Sequence, residues 1–138
     1  MEINYSFTYQ LRVRYSETDK MGYCYYGNYA SYLEVGRVET MRSLGVSYKS
    51  MEDEGVMLPV LDFSIKYLRP AKYDDLLSVK TIITKIEGTR IYFDYEIHNE
   101  ENQKLIIAQT CLVFVGVKTM KPIAVPEHLL KLFSNEYK

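Results

Sequence analysis

The periodicities of the sequence specify an α+β fold: one long enclosed helix, then a mainly antiparallel sheet of about five strands. Two features lead there. Only one long stretch carries apolar residues at helical spacing, and on more than one face; nearly everything after it alternates with the period of strands. The connectors between the strands are about two to nine residues, too short for the crossovers that parallel pairing needs.

Residues 7–15 (FTYQLRVRY) place Phe7, Tyr9, Leu11, Val13 and Tyr15 on one face and Thr8, Gln10, Arg12 and Arg14 on the other, as a half-buried strand does. A polar run, SETDKMGY, reads as a loop. Over 28–44 the spacing changes to threes and fours through Tyr29, Tyr32, Leu33, Gly36 and Met41. Asn28 is the expected N-cap, and Gly45 the C-terminal stop. Glu34 is spaced to pair with Arg37, and Glu39 with Arg42. Strands are then expected over 57–67, 77–86, 90–98 and 104–117, with a short helix after Pro126.

The 138 residues are expected to form one domain, 1–138, without repeats or linkers. Seventeen Lys and Arg against eighteen Asp and Glu argue against a nucleic-acid binder that works by bulk charge. No apolar run approaches the ~18–20 residues that span a bilayer, and MEINYSFTYQ does not read as a signal peptide. A soluble cytoplasmic protein is the expectation. Cys24, Cys111, His98 and His128 do not form a zinc pattern, so no metal is expected and both thiols are read as reduced. Fourteen tyrosines and no tryptophan suit half-buried strands and subunit interfaces.

Chemistry is best placed in the loop before the helix. Glu17 and Asp19 stand just upstream of a helix start, where backbone N–H groups lack intrahelical partners and carry partial positive charge. Such donors hold a carbonyl oxygen as negative charge develops on it, and a nearby carboxylate attacks that carbonyl or activates water. Gly22 and Gly27 allow sharp turns and close ligand approach. On spacing alone, the same residues are equally at home in an ordinary turn. Serine-triad, P-loop and dinucleotide motifs are missing from the sequence.

The string 13–29 (VRYSETDKMGYCYYGNY), continued by ASYLEVGRVE and seconded by 63–75 (FSIKYLRPAKYDD), resembles the hot-dog-fold acyl-CoA thioesterases. The nearest branch is that of 4-hydroxybenzoyl-CoA thioesterase and the bacterial Tol–Pal-linked enzymes. The resemblance covers nearly the whole chain and implies a sheet wrapped around one central helix, with two protomers pairing their sheets and active sites at their interface. It implies hydrolysis of an acyl-CoA to a carboxylic acid and free coenzyme A, without metal or organic cofactor. Asp19 matches the catalytic carboxylate, as nucleophile or general base. Tyr26 matches the residue whose N–H polarises the carbonyl, although many bacterial members have histidine there. Gly22, Gly27 and Asn28 belong with the same motif as substrate-binding residues, and Thr89 and Arg90 lie where relatives contact the coenzyme A nucleotide. A homodimer or dimer-of-dimers tetramer is implied. Acyl carrier protein is the alternative carrier, a non-catalytic acyl-CoA-binding module the alternative class, and Glu34 or Glu39 the alternative carboxylate.

Overall fold

A computed structural model of the chain describes residues 1–135. Strand β1 (Glu2–Arg12) leads through a 3₁₀ turn at Tyr15–Glu17 into the long helix α1 (Asn28–Ser43). A short helix α2 (Tyr48–Asp53) and strands β2 (Val56–Met57), β3 (Val60–Tyr67), β4 (Leu76–Glu87), β5 (Arg90–His98), β6 (Lys104–Val113) and β7 (Val115–Gly116) follow, then helix α3 (Glu127–Asn135). The main sheet has five antiparallel strands in the order β1-β4-β5-β6-β3, while β2 and β7 make a separate pair. One long helix on a five-stranded antiparallel sheet is the hot-dog arrangement that the resemblance implies.

Why the helix sits where it does follows from its residues. Tyr29, Tyr32, Leu33, Gly36, Thr40 and Met41 are buried, and α1 packs on β1 and β4. Opposite them, Leu77, Val79, Thr81 and Ile83 alternate inward from β4 and are fully buried. Gly36 sets the spacing: a Cβ there would lie 2.7 Å from both Thr81 Oγ1 and Val79 Cγ1, so a larger residue would lift the helix off β4. At the other end the helix stops on Gly45, whose φ of +91° suits glycine. There Gly45 N–H donates to Arg42 O (2.9 Å) and Val46 N–H to Met41 O (3.0 Å), the paired bonds of a Schellman stop.

Several local expectations need correction. The first strand starts at Glu2 and ends at Arg12; Tyr15 belongs to the 3₁₀ turn and is 79% exposed. Asn28 is the first helical residue rather than the cap, which falls on Gly27; its Nδ2 instead donates to Glu17 O (2.8 Å). The strand expected over 57–67 breaks around Pro59, which has no N–H to give a ladder; the 104–117 strand breaks opposite it at Phe114. Arg37 turns inward to Tyr95 rather than pairing with Glu34, whereas Glu39 and Arg42 do pair at 3.5 Å. Among the described residues no helix is long and apolar enough to cross a membrane.

Candidate active site

The loop between β1 and α1 is built around Glu17. Its Oε1 accepts the Arg14 N–H (2.8 Å) and the Tyr32 hydroxyl (2.9 Å), and its Oε2 accepts Arg14 Nη2 (3.0 Å). Its carbonyl accepts both the Tyr25 N–H and Asn28 Nδ2, each at 2.8 Å. One residue thereby ties the strand exit, the loop and the first turns of α1 together. Burial pushes the Glu17 carboxyl up, but the bonds from Arg14 and Tyr32 outweigh it and hold the group below the usual carboxylate range. Charged and satisfied, Glu17 is an anchor.

Asp19 is held differently. Its Oδ1 accepts the N–H groups of Met21 (2.9 Å) and Tyr23 (3.3 Å), and its own N–H donates to Tyr23 O (2.9 Å). Gly22 closes this turn at φ +77°. The second carboxylate oxygen has no protein partner among the described residues, and Asp19 is exposed. It lines a cleft of about 490 Å³ together with Cys24, Tyr26, Tyr29, Tyr67 and Arg69.

The opposite wall is the start of α1. Here the Tyr25 N–H is spent on Glu17 O, the Asn28 N–H on Tyr25 O (2.9 Å) and the Tyr29 N–H on Tyr26 O (3.3 Å). The N–H groups of Tyr26 and Gly27 have no acceptor among the described residues. Gly27 has no room for a side chain, because a Cβ would lie 2.9 Å from the Tyr25 ring. Two consecutive free donors thus stand at the helix start, and Tyr26, which carries the first, lines the same cleft as a carboxylate with one oxygen fixed and one unengaged.

Tyrosines complete the cleft. Tyr67, at the end of β3, lies edge-on to Tyr26 (6.4 Å between centroids) and tilted against Tyr29 (5.6 Å). The Tyr29 hydroxyl accepts the Ala71 N–H (3.1 Å), and burial pushes its phenol up to about 12. Cys24 is buried, with Sγ 3.5 Å from the Tyr32 hydroxyl, and burial pushes its thiol up as well, which makes it a poor nucleophile. Both cysteines are free.

The sequence-predicted residues fall into two places. Asp19, Gly22, Tyr26, Gly27 and Asn28 all belong to the loop and helix start. Thr89 and Arg90 lie at the β4–β5 turn; β4 departs from the loop, where Val13 N–H meets Asp75 O, and carries the chain roughly 35 Å away by its far end. They do not reach the cleft of their own protomer. His98 sits near Glu96 (3.6 Å) and His128 near Glu54 (3.3 Å), outside the residues lining the cleft. Sequence reasoning passed over Tyr67, Leu68 and Arg69 as lining residues; the only signal was their place in the string 63–75.

A hot-dog fold with a half-engaged carboxylate and free N–H donors at one cleft has the geometry for attack on an activated carbonyl. The model of the thioesterase superfamily matches residues 21–106. The acyl-CoA thioester hydrolase YbgC of Escherichia coli O6:H1 is 34% identical over 92% of this chain and 95% of its own. The acyl-acyl carrier protein thioesterase ATL2 of Arabidopsis thaliana is 33% identical over 91% of this chain and 67% of its own. The solved DHNA-CoA thioesterase of Staphylococcus aureus superposes with a TM-score of 0.90 at 34% identity, over 95% of this chain and 90% of that one. The chain belongs to the thioesterase superfamily.

The Glu17 anchor has a measurable consequence. A carboxyl whose folded pKa is depressed contributes stability that is present above its ordinary value near 4.5 and lost as pH falls through the folded value. Glu17→Gln is expected to cost about 1–3 kcal/mol at neutral pH, because bonds to a charged group are lost. Thermal melts of both proteins from neutral pH downward check this: the gap between them narrows below about pH 4.5, as the wild type loses the same interaction.

Proposed function

We propose that the protein hydrolyses acyl-CoA thioesters to a carboxylic acid and free coenzyme A in the cytoplasm, without metal or organic cofactor. The observation that carries this is the pair of unengaged N–H groups at Tyr26 and Gly27 at the start of the helix, with Tyr26 lining the same cleft as the half-fixed carboxylate of Asp19. A thioester carbonyl is already electrophilic and needs only donors for its developing oxyanion and an activated oxygen. In the base form of the reaction, Asp19 takes a proton from water and the water oxygen bonds to the carbonyl carbon. The oxyanion rests on the two N–H groups; the C–S bond then breaks and coenzyme A leaves, taking up a proton. In the nucleophile form, the Asp19 oxygen itself bonds to the carbon, the C–S bond breaks and coenzyme A leaves, taking up a proton; water then hydrolyses the resulting mixed anhydride, releasing the carboxylic acid and restoring the Asp19 carboxylate. The YbgC and DHNA-CoA enzymes support coenzyme A as carrier, and the Arabidopsis relative supports acyl carrier protein as the second reading.

Asp19→Asn keeps an oxygen acceptor for the Met21 and Tyr23 N–H groups but loses charge and basicity. Thiol release is expected to fall by about 10²–10⁴-fold, while the melting temperature changes little. Glu39→Gln, whose carboxylate is paired to Arg42 on the helix, is the control and keeps most of its activity. Near wild-type turnover in Asp19→Asn with a dead Glu39→Gln would move the chemistry to the helix. Running the screen with matched coenzyme A and acyl carrier protein esters separates the two carriers.

We also propose a homodimer, or a dimer of such dimers. Strand β3 is an edge of the sheet, yet Val60, Leu61, Phe63 and Tyr67 on it are 47%, 52%, 42% and 48% exposed. An apolar edge of that kind is covered when a second copy pairs with it. Pairing gives Thr89 and Arg90 a role in a neighbour's cleft, which they lack in their own. Light scattering at micromolar concentration is expected to give at least twice the chain mass; a monomer contradicts the assembly and the interfacial site with it.

A further inference from the structure

Helix α1 carries a buried cation that the proposed hydrolysis does not use. Arg37 is 7% exposed, yet among the described residues its guanidinium makes one hydrogen bond, from Nη1 to the Tyr95 hydroxyl (3.2 Å). Its Nε and the Tyr48 hydroxyl are both buried without a well-formed hydrogen bond, although the two groups are near enough to interact electrostatically. No ion pair joins it to Glu34 or to any other described carboxylate. A guanidinium has five donors and a large desolvation cost, so a buried one facing only the neutral phenols of Tyr95 and Tyr48 has donors left for an anion.

The place where that anion would sit is open. Arg37 and Thr110 line a pocket of about 190 Å³ between α1 and β3, walled by Ala30, Leu33, Val60 and Phe63. The Tyr95 hydroxyl bonds to Thr110 Oγ1 (2.6 Å), so Arg37, Tyr95 and Thr110 form one polar cluster on the inner side of a hollow that Ser31 and Glu34 also line. The pocket lies on the same seam as the Asp19 cleft. Tyr26 and Tyr67 face each other at the first, and Leu33 and Phe63 line the second, because α1 and β3 run in opposite directions along the seam. Arg37 follows Tyr26 by eleven residues, nearly all of them helical, which is about 16 Å along the axis, or roughly 10 Å once the side chain's lean toward the helix start is subtracted.

We infer that this second pocket receives the far end of the acyl group and that Arg37 selects acyl groups ending in an anionic oxygen. The inference rests on the hydrolysis proposed above, since it places the thioester at Asp19 and the chain along α1. Glu34, exposed at the rim, is the competing counter-ion and would leave the enzyme without any such preference.

The test compares adipoyl-, suberoyl- and sebacoyl-CoA with hexanoyl-, octanoyl- and decanoyl-CoA on the wild-type protein. The dicarboxylic thioester of best length is expected to exceed its methyl-ended counterpart in kcat/KM by about 10–100-fold. Arg37→Met is expected to abolish that preference while hydrolysing the methyl-ended ester at close to the wild-type rate, and Arg37→Lys to keep part of it. Calorimetry of the free diacids against the matching monoacids reads the same selectivity without turnover. Thus a protein that hydrolyses nothing yet binds suberate over octanoate through Arg37 refutes the hydrolysis and keeps this inference. Equal use of both series by the wild type overturns it, even if Arg37→Met fails to fold. So does a preference that survives in Arg37→Met.

Discussion

The interaction on which the site depends is the clamp at Glu17. Its carboxylate binds Arg14 and Tyr32, and its carbonyl binds the Tyr25 N–H and Asn28 Nδ2. The loop is thereby fixed to the helix on both sides of residues 18–24, and the N–H groups that follow at Tyr26 and Gly27 are left unspent. A donor already bonded within the protein would have to break that bond before it could hold an oxyanion. A free donor on a fixed frame needs no reorganisation, which is where most of its catalytic value lies.

The same economy governs the placement of the cleft. Gly36 lets α1 lie close on β4, and the Schellman stop at Gly45 ends the helix once it has crossed the sheet. The start of the helix then projects toward the end of β3, where Tyr67 meets Tyr26 and Tyr29. The tyrosine rings give the cleft apolar walls with polar tips, and the deeply placed hydroxyls are satisfied within the protein. One oxygen of Asp19 and the two N–H groups remain without a partner among the described residues.

Much of this was legible in the sequence because periodicity reports on faces. The enclosed helix, its glycine stop and the β4 and β5 alternations all carry a pattern that only one geometry satisfies. What escaped was set by long-range partners. Helix α2 spans six residues, too few for a period to show. Spacing alone gave Arg37 a surface partner at i,i−3, whereas its direction is decided by Tyr95 on β5. Spacing also left Glu17 and Asp19 equivalent as loop carboxylates. They differ because Tyr32 comes back over the loop from the helix, which only the packing of α1 determines. The lining residues Tyr67 to Arg69 were hidden for a related reason: β3 reaches the cleft through its pairing with β6.

Hydrolysis at this cleft depends, in the proposed mechanism, on the two N–H groups. Amide proton resonances of ¹⁵N-labelled protein, followed while a trifluoromethyl-ketone analogue of an acyl-CoA is added, address them directly. An oxyanion held by these donors moves the Tyr26 or Gly27 amide proton downfield and slows its exchange with water, while the Tyr25 and Asn28 amides, already bonded to Glu17 and Tyr25, change little. If the analogue binds and shifts the cleft tyrosines but leaves both the Tyr26 and Gly27 amides where they were, the oxyanion is held elsewhere and the account is wrong.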